Sequence, residues 1–392
     1  MVRVFLKPDL KNRVKNGHPW IYENEIDRIE GDFENGDIAL VFFHSGDFLG
    51  KGYLNTRSRI TVRLLTRKNE EIDSEFFKRR LRKILEWKVP LIHDTNAFRV
   101  IFSEADGIPG LTVDKYADHL VIQIGTLGID RLKMEILRAL IDVLKPKGIY
   151  EKSDYSGREK EGLKPFRGWV YGTGPELLEF EMNGLRFLAD TKGQKTGAFL
   201  DQRINATLLR DFASVKRALD VFSYTGNFSA HLLKYGTDHV TLIDYSERAL
   251  EIAREILNRN GFKGRYDLIR GNAFDELRKL HKSGEKYDLI VLDPPAFAKS
   301  FDDKKSAYRG YKEINLRSMK IMHDGGILAT SSCSRVVSEA DFLVVLYDSA
   351  ADSKVKLRIL KRGGQPPDHT PVLNIFETFY LKFLITRVER GG

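Results

Sequence analysis

The sequence predicts a doubly wound α/β domain in its C-terminal half, preceded by a small β-barrel-like module and a middle α+β unit. A chain of 392 residues is too long for one ordinary hydrophobic core. From about residue 186, short apolar runs alternate with helix-length segments, which indicates a mostly parallel sheet covered by helices on both faces. Near the N-terminus, short alternating apolar runs are punctuated by glycines, which favours a small β-module. We therefore predict three domains, at 1–68, 69–186 and 187–392.

The first two predicted domains contain recognisable helix and strand patterns. In the N-terminal module the clearest strand candidates are 38–43 and 60–65. Apolar positions at helical spacing within 72–95 predict a helix that ends before Pro90. The remaining middle segments are predicted as strands at 98–102, 111–113 and 119–125, a helix at about 129–144 and a glycine-rich polar connection at 152–174.

The C-terminal half repeats a strand, a turn and a helix. Its strands are predicted at 217–222, 239–244, 266–270, 287–293 and 326–331. This rhythm is typical of a Rossmann-like sheet, and such sheets bind ligands at the carboxyl ends of their strands. The residues that follow each strand are therefore the first candidates for a functional site.

Composition and charge narrow the class of protein. The net charge is +9, and residues 191–392 hold 33 Lys and Arg against 25 Asp and Glu, which suggests a polyanionic partner. No apolar run reaches the ~18–20 residues needed to span a membrane, and the first residues are charged too early and apolar for too short a stretch to predict a secretory signal. A single cysteine, Cys333, excludes an intrachain disulfide. We expect a cytoplasmic protein without a metal ion or a membrane partner. The sequence leaves open whether two copies form a homodimer.

Three strand ends together predict a site for S-adenosylmethionine. The first strand ends at Asp220, and the turn after it holds one glycine, Gly226, whereas dinucleotide sites need three spaced glycines. Asp244 ends the second strand, where a carboxylate can accept both hydroxyls of a ribose. Segment 271–275 follows the third strand and can contact an adenine edge. Taken singly, the two acids would be ordinary strand-end residues. The predicted cofactor-binding residues of these turns are Asp220, Phe222, Tyr224, Thr225, Gly226, Asn227, Phe228, Asp244, Asn272 and Ala273.

The ends of the fourth and fifth strands predict a catalytic pair. Asp293 precedes two prolines, which stiffen the turn and hold the carboxyl group toward a planar base. Cys333 lies in Ser-Ser-Cys-Ser, one predicted strand away. Carbon 5 of a pyrimidine becomes nucleophilic only after a thiolate adds to carbon 6, and the base must first leave its stack. Most free cysteines are inert buried side chains, but this position favours a nucleophile.

These residues resemble a known family, the PUA-domain-containing cytosine-5 methyltransferases of large-subunit ribosomal RNA. The resemblance spans the chain and rests on 17–21, 48–55, 103–116, 196–203, 293–295, 332–334 and 365–371. It implies a PUA fold for the β-barrel module, a class I methyltransferase domain, and methyl transfer from S-adenosylmethionine to a cytosine of ribosomal RNA. It also implies that Phe199, Asp201, Gln202 and Arg203 lie over the cofactor. Related enzymes with a second cysteine carry it where this chain has Pro295 and Ala296, so the base that removes the carbon 5 proton is left unnamed.

A basic stretch after Phe297 is the predicted RNA contact. Lys299 and Arg309 are the preferred phosphate ligands because they are close to Asp293 in sequence. The stretch could equally be a solvated helix face. Its other members are Lys304, Lys305, Lys312, Arg317 and Lys320, with Tyr308 and Tyr311 between them as candidates for stacking on bases.

Two other functions remain open from the sequence. An amino-directed methyltransferase acting on adenine or guanine also uses an Asp-Pro-Pro turn, although it needs no cysteine and usually has an aromatic residue where this chain has Ala296. A non-catalytic RNA-binding assembly factor is the alternative from a different class. The sequence names neither the modified nucleotide nor the form of the substrate, naked RNA or an assembling particle.

Overall fold

The computed structural model describes residues 1–8, 12–298 and 301–391. The chain forms two compact units. The first comprises Met1–Phe180, Ala189–Ala198 and Pro367–Thr378, and the second comprises Glu181–Leu188, Phe199–Pro366 and Phe379–Gly392. The predicted three-domain boundaries stay a prediction.

The N-terminal part of the first unit is a mixed sheet with one short helix. Its elements are β1 (Val2–Leu6), α1 (Asn12–Lys15), β2 (Trp20–Ile21), β3 (Ile26–Glu30), β4 (Ile38–Phe42), β5 (Phe48–Leu54) and β6 (Val62–Thr66). The strand order is β2-β6-β5-β4-β1-β3, with β1 parallel to β4. Alternate side chains of these strands, such as Val4, Val41 and Val62, form its core. The strands predicted at 38–43 and 60–65 are confirmed as β4 and β6.

The middle part of the first unit is a sheet packed against helices. Its elements are α2 (Ser74–Lys88), β7 (Ala97–Phe102), β8 (Leu111–Tyr116), β9 (His119–Ile124), α3 (Leu127–Arg131), α4 (Lys133–Leu144), β10 (Gly148–Ser153) and β11 (Phe166–Gly172). The strand order is β11-β10-β9-β8-β7. Helix α2 begins where Asp73 Oδ1 accepts a hydrogen bond from the Phe76 amide at 2.8 Å, and it ends at Lys88, before Pro90, as predicted.

Two expectations for the middle part need correction. The predicted polar connection at 152–174 contains strand β11, which pairs antiparallel with β10 at the edge of the sheet. Its two glycines and exposed side chains conceal the alternation that marks a strand. The helix predicted at 129–144 is two helices, because Leu132 separates α3 from α4.

The second unit contains the doubly wound sheet. A hairpin, β12 (Leu177–Met182) and β13 (Leu185–Asp190), precedes it. The elements that follow are α5 (Arg203–Thr207), β14 (Arg217–Val221), α6 (Asn227–Lys234), β15 (His239–Asp244), α7 (Glu247–Arg259), β16 (Tyr266–Arg270), α8 (Ala273–Lys282), β17 (Tyr287–Leu292), α9 (Lys304–Lys320), β18 (Met322–Ser332), α10 (Glu339–Ser353), β19 (Val355–Gly363) and β20 (Lys382–Arg390). All five predicted strands of this half are present.

The strand order of this sheet places the predicted site residues at one edge. The order is β16-β15-β14-β17-β18-β20-β19, in which β14 to β18 run parallel and β20 pairs antiparallel with both β18 and β19. The order reverses between β14 and β17, so the crevice beyond their carboxyl ends is the expected ligand position. Buried aliphatic side chains such as Leu219, Ile290 and Leu328 form the core beneath it.

Candidate active site

The turn that follows β14 adopts an unusual backbone conformation. Phe222 and Tyr224 have positive φ angles of 64° and 47°, and Gly226 has a φ of 80°. Left-handed backbone is costly for residues other than glycine and is concentrated at functional sites. Three hydrogen bonds hold the turn: from Ser223 N to Ile243 O at 3.1 Å, from Tyr224 N to an Asp244 carboxylate oxygen at 2.8 Å, and from Gly226 N to Ser223 O at 2.8 Å. The turn is therefore fixed against the end of β15.

Asp220 supports this turn from below. One oxygen of its fully buried carboxyl group accepts hydrogen bonds from Ser229 N at 3.1 Å and Ser229 Oγ at 2.7 Å. The pKa of Asp220 is raised to about 7, chiefly by burial and in part by the carboxylates of Asp293 and Asp244, whereas the Ser229 donors oppose the shift. Asp220 thus fixes the first turns of α6.

Several buried polar atoms around the turn have no hydrogen-bond partner among the described residues. They are Asp220 Oδ1, Ser223 Oγ, and Asn227 Oδ1 and Nδ2. A buried polar group without a partner costs about 1–3 kcal/mol. Their grouping around one glycine-containing turn fits a small polar ligand such as the amino acid end of S-adenosylmethionine.

Asp244 is placed where a ribose contact is expected. It ends β15 and is half-buried. Its Oδ2 accepts from Tyr224 N and its Oδ1 accepts from Ser246 N, both at 2.8 Å. Each carboxylate oxygen has two lone pairs, so both can still accept a further hydrogen bond. The two backbone donors therefore orient the carboxylate without saturating it.

In the turn after β16, one of the two predicted adenine contacts is exposed and the other is buried. Asn272 is exposed and caps α8, with its Oδ1 accepting from Phe274 N at 2.9 Å. The cap engages the side-chain oxygen, so a contact to adenine would come from the amide nitrogen or from the backbone. Ala273 is buried in the core.

Before the sheet in sequence, Phe199 places its ring edge-on to Tyr224, and the two ring centroids are 4.9 Å apart.

Residues 201–203 are buried, and two of them hold other parts of the site. Asp201 accepts a hydrogen bond from the Tyr380 hydroxyl at 2.9 Å. Gln202 donates from Nε2 to Asp293 Oδ1 at 2.7 Å. Arg203 begins α5 and is among the largest fully buried side chains. The structure thus brings Gln202 to the predicted catalytic aspartate.

Asp293 and Cys333 lie at neighbouring strand ends. Asp293 follows β17, and its Oδ1 also accepts from Ser331 Oγ at 2.6 Å. Cys333 follows β18, is half-buried, and directs its thiol to the carbonyl oxygen of Pro294 with a sulfur–oxygen distance of 3.7 Å. Ser334 Oγ donates to Ala298 O at 2.9 Å. The Asp-Pro-Pro turn and the cysteine segment are therefore fastened to each other.

The basic stretch is divided between several environments. Arg309 is exposed on α9, and Lys299 lies outside the described residues. Lys304, Lys312 and Arg317 form ion pairs with Asp341, Asp352 and Glu313. Tyr311 is wholly buried in the core, so the expectation that it stacks on bases is wrong, because its helix position faces the sheet. The Tyr308 hydroxyl donates to Asp348.

Sequence reasoning missed the supporting residues of the site. Ser229 carries no motif of its own, and nothing in the Ser-Ser-Cys-Ser segment distinguishes Ser331 as a support; each is found only through its carboxylate partner. Tyr380 lies just before β20 and Lys382 begins that strand, and no local pattern predicts that this distant segment borders β18.

In the described ranges no group of His, Cys, Asp and Glu could hold a metal ion, and no helix is long and apolar enough to cross a membrane.

The fold and the strand-end site agree with two family matches. Residues 4–67 match the PUA-like domain, and residues 164–383 match the S-adenosylmethionine-dependent methyltransferase family. The chain is therefore a methyltransferase of the S-adenosylmethionine-dependent class, with S-adenosylmethionine as its cofactor and a Rossmann-like α/β domain.

Relatives narrow this class to one family. Ribosomal RNA large subunit methyltransferase I of Aeromonas salmonicida is 38% identical over 99% of this chain and all of its own length. The Alteromonas mediterranea protein of the same name is 36% identical over 98% of each chain. The chain belongs to the ribosomal RNA large subunit methyltransferase I family.

Solved structures share the fold. A Streptococcus mutans chain superposes with a TM-score of 0.84 over 99% of this chain and all of that one, at 21% identity. SMU.776, solved in complex with SAH, gives a TM-score of 0.83 with the same coverage, at 20% identity. At this identity the likeness establishes the fold alone.

Proposed function

We propose that this chain methylates carbon 5 of a cytosine in large-subunit ribosomal RNA through a covalent adduct to Cys333. The observation that carries the proposal is the fastening of the cysteine segment to the Asp-Pro-Pro turn, with Cys333 directed to Pro294 O at 3.7 Å. The names of the full-length relatives support ribosomal RNA as the substrate. The PUA-like module at 4–67 supports RNA recognition.

Asp293 orients the target base in this proposal. Gln202 and Ser331 both donate to its Oδ1, so the carboxyl group is held in one direction. A fixed carboxyl group can hydrogen-bond the ring nitrogen and the exocyclic amine of cytosine. Orientation of this kind supplies much of the rate enhancement when two reactants must meet in one geometry.

Cys333 supplies the nucleophile. Its thiolate forms a bond to carbon 6, and the electron pair of the 5,6 double bond makes carbon 5 nucleophilic. S-adenosylmethionine, when bound, supplies an electrophilic methyl group on a sulfonium. Carbon 5 forms a bond to that methyl while the methyl–sulfur bond breaks and its electron pair leaves with the thioether product. The proton on carbon 5 then passes to a base. The electron pair of the broken carbon–hydrogen bond restores the double bond and expels the sulfur of Cys333 as a thiolate.

The residues that would hold S-adenosylmethionine surround the turns after β14 and β15. Asp244, oriented by Tyr224 N, would accept the ribose hydroxyls, and the unpartnered atoms of Ser223 and Asn227 would hold the amino acid end. Phe199 and Tyr224 form an aromatic wall beside them. Gly226 lets the chain reverse with a φ of 80°.

Analysis of the methylated nucleoside tests the proposed reaction. Purified chain, S-adenosylmethionine with a labelled methyl group, and large-subunit ribosomal RNA are incubated, and the RNA is digested to nucleosides. We expect the label in 5-methylcytidine. Label in an N-methylated adenosine or guanosine would contradict the proposal and favour an amino-directed enzyme. Matched incubation with an unrelated RNA of similar length is the control for substrate choice.

Lys299 and Arg309 are the proposed phosphate contacts next to the target base. Replacing both with alanine should lower the slope of log affinity against log salt by about 1.4, since each single-strand phosphate contact contributes about 0.7. The matched control is Lys304→Ala with Lys312→Ala, which removes the same charge from two ion-paired side chains. Equal slopes for the two double variants would assign the stretch to a solvated helix face.

A further inference from the structure

The half-buried side chain of Lys382 lies beside the proposed nucleophile. Lys382 is the first residue of β20, and it is the cross-strand partner of Ser332, the residue before Cys333. Its Nζ donates to the carbonyl oxygen of Ser334, the residue after Cys333, at 2.5 Å, and to Tyr380 O at 2.8 Å. The lysine side chain thus runs along the segment that carries the cysteine.

The ammonium group of Lys382 has no carboxylate within ion-pair distance among the described residues. Two acids face it from the start of α10, Glu339 and Asp341, and each is already paired: Asp341 with Lys304 at 2.8 Å, and Glu339 with Arg362. A buried charge without a counter-charge is costly, because protein surroundings solvate it less well than water does. The third group whose charge acts on Lys382 is Cys333, and Cys333 also interacts with the Tyr311 phenol of α9.

The pKa of Lys382 reflects both its burial and the charges near it. Burial lowers the pKa of Lys382 to about 8, and the charges of Cys333, Asp341 and Glu339 act against that shift. A thiolate beside Lys382 would therefore stabilise the protonated form of the lysine, and the protonated lysine would in turn stabilise the thiolate. Cysteines next to lysine are known to have depressed pKa values.

We propose that Lys382 is a positioning residue that keeps the sulfur of Cys333 in its thiolate form, ready to add to carbon 6 of a pyrimidine. The thiol proton passes to solvent, and the ammonium and thiolate remain as a neutral pair. When the sulfur bonds to carbon 6, its negative charge moves into the ring, and the charge returns to the sulfur when the product is expelled. This inference rests on the proposed function, in which Cys333 is the nucleophile.

The single cysteine of the chain makes the proposal directly measurable. The full-length protein, without RNA or S-adenosylmethionine, is alkylated with iodoacetamide across a range of pH, because only the thiolate reacts. For the native chain we expect half-maximal rate below about pH 7.5. Lys382→Met should raise the midpoint to about 8.5 or above, and Lys382→Arg should restore a low midpoint, because it keeps the positive charge.

Lys356→Met is the matched control, since it removes an exposed lysine from the neighbouring strand β19. A Lys382→Met midpoint equal to that of the native chain would overturn the proposal. A native midpoint near about 8.5 would also overturn it, even if the variant failed to fold. The measurement contains no nucleic acid. A low midpoint without formation of 5-methylcytidine would therefore contradict the proposed function alone.

Discussion

Replacing Cys333 with serine is expected to reduce methyl transfer to RNA by at least about 1000-fold. A serine hydroxyl is far less ionised than a thiol and is a weaker nucleophile toward carbon 6. The side chain is nearly the same size, and in the structure the thiol directs a weak hydrogen bond to the Pro294 carbonyl, which a hydroxyl can also donate to. The loss should therefore come from the chemical step rather than from folding.

Initial rates of label transfer at saturating RNA and cofactor measure this effect. Affinity for S-adenosylmethionine, measured by calorimetry on the same preparation, is the internal control and should stay within about twofold, because Cys333 lies on a different strand end from Asp244. A variant with near-native transfer rates would remove the cysteine from the mechanism. A variant that loses both methyl transfer and affinity for S-adenosylmethionine would indicate a structural defect instead.

Replacing Asp244 with alanine is expected to weaken binding of S-adenosylmethionine by about 1.5–3 kcal/mol, or roughly 10- to 150-fold. The carboxylate is held by Tyr224 N and Ser246 N, each at 2.8 Å, and has lone pairs left for the ribose hydroxyls. Its removal deletes a charge-assisted acceptor and also releases the strained turn at Tyr224.

Calorimetric titration measures this change. Asp267→Ala is the matched control, because Asp267 is an exposed acid of the adjacent strand β16, paired with His239. Unchanged affinity in the Asp244 variant would exclude this carboxylate from the cofactor site. Equal losses in both variants would point to a general effect of charge on the domain.

The strand ends of the catalytic domain could be predicted from sequence because their signals are local. A buried parallel strand is a short apolar run, and the turn after it carries a glycine, an acid or prolines within a few residues. Asp220, Gly226, Asp244 and Asp293 therefore lie where the strand and helix rhythm predicts. Parallel order then gathers these turns at one edge without further information.

What the sequence does not predict depends on contacts between distant segments. Strand β20 inserts antiparallel between β18 and β19, and only this insertion brings Lys382 to the cysteine. Likewise, Gln202 reaches Asp293 across 91 positions of sequence. Neither pair has a periodic or motif signal, since such pairing is set by the packing of the whole domain.

The errors on Tyr311 and on β11 have a different cause. A run of lysines and arginines suggests one surface, but a helix distributes consecutive residues over all its faces, so Tyr311 enters the core while Arg309 is exposed. In β11, glycines and aromatic residues share an edge strand whose faces are both partly exposed, so no alternation marks it. Both errors arise from interpreting composition where geometry decides.

The covalent step is tested most directly by RNA that carries 5-fluorocytosine at the target position. Fluorine at carbon 5 cannot leave as a proton, so the enzyme should remain bound to the RNA after methyl transfer. We expect an adduct that survives denaturing electrophoresis, requires S-adenosylmethionine, and maps to the peptide containing Cys333. It should be absent from Cys333→Ser. Efficient methylation of unmodified RNA without any trapped adduct, or an adduct at another residue, would contradict the mechanism.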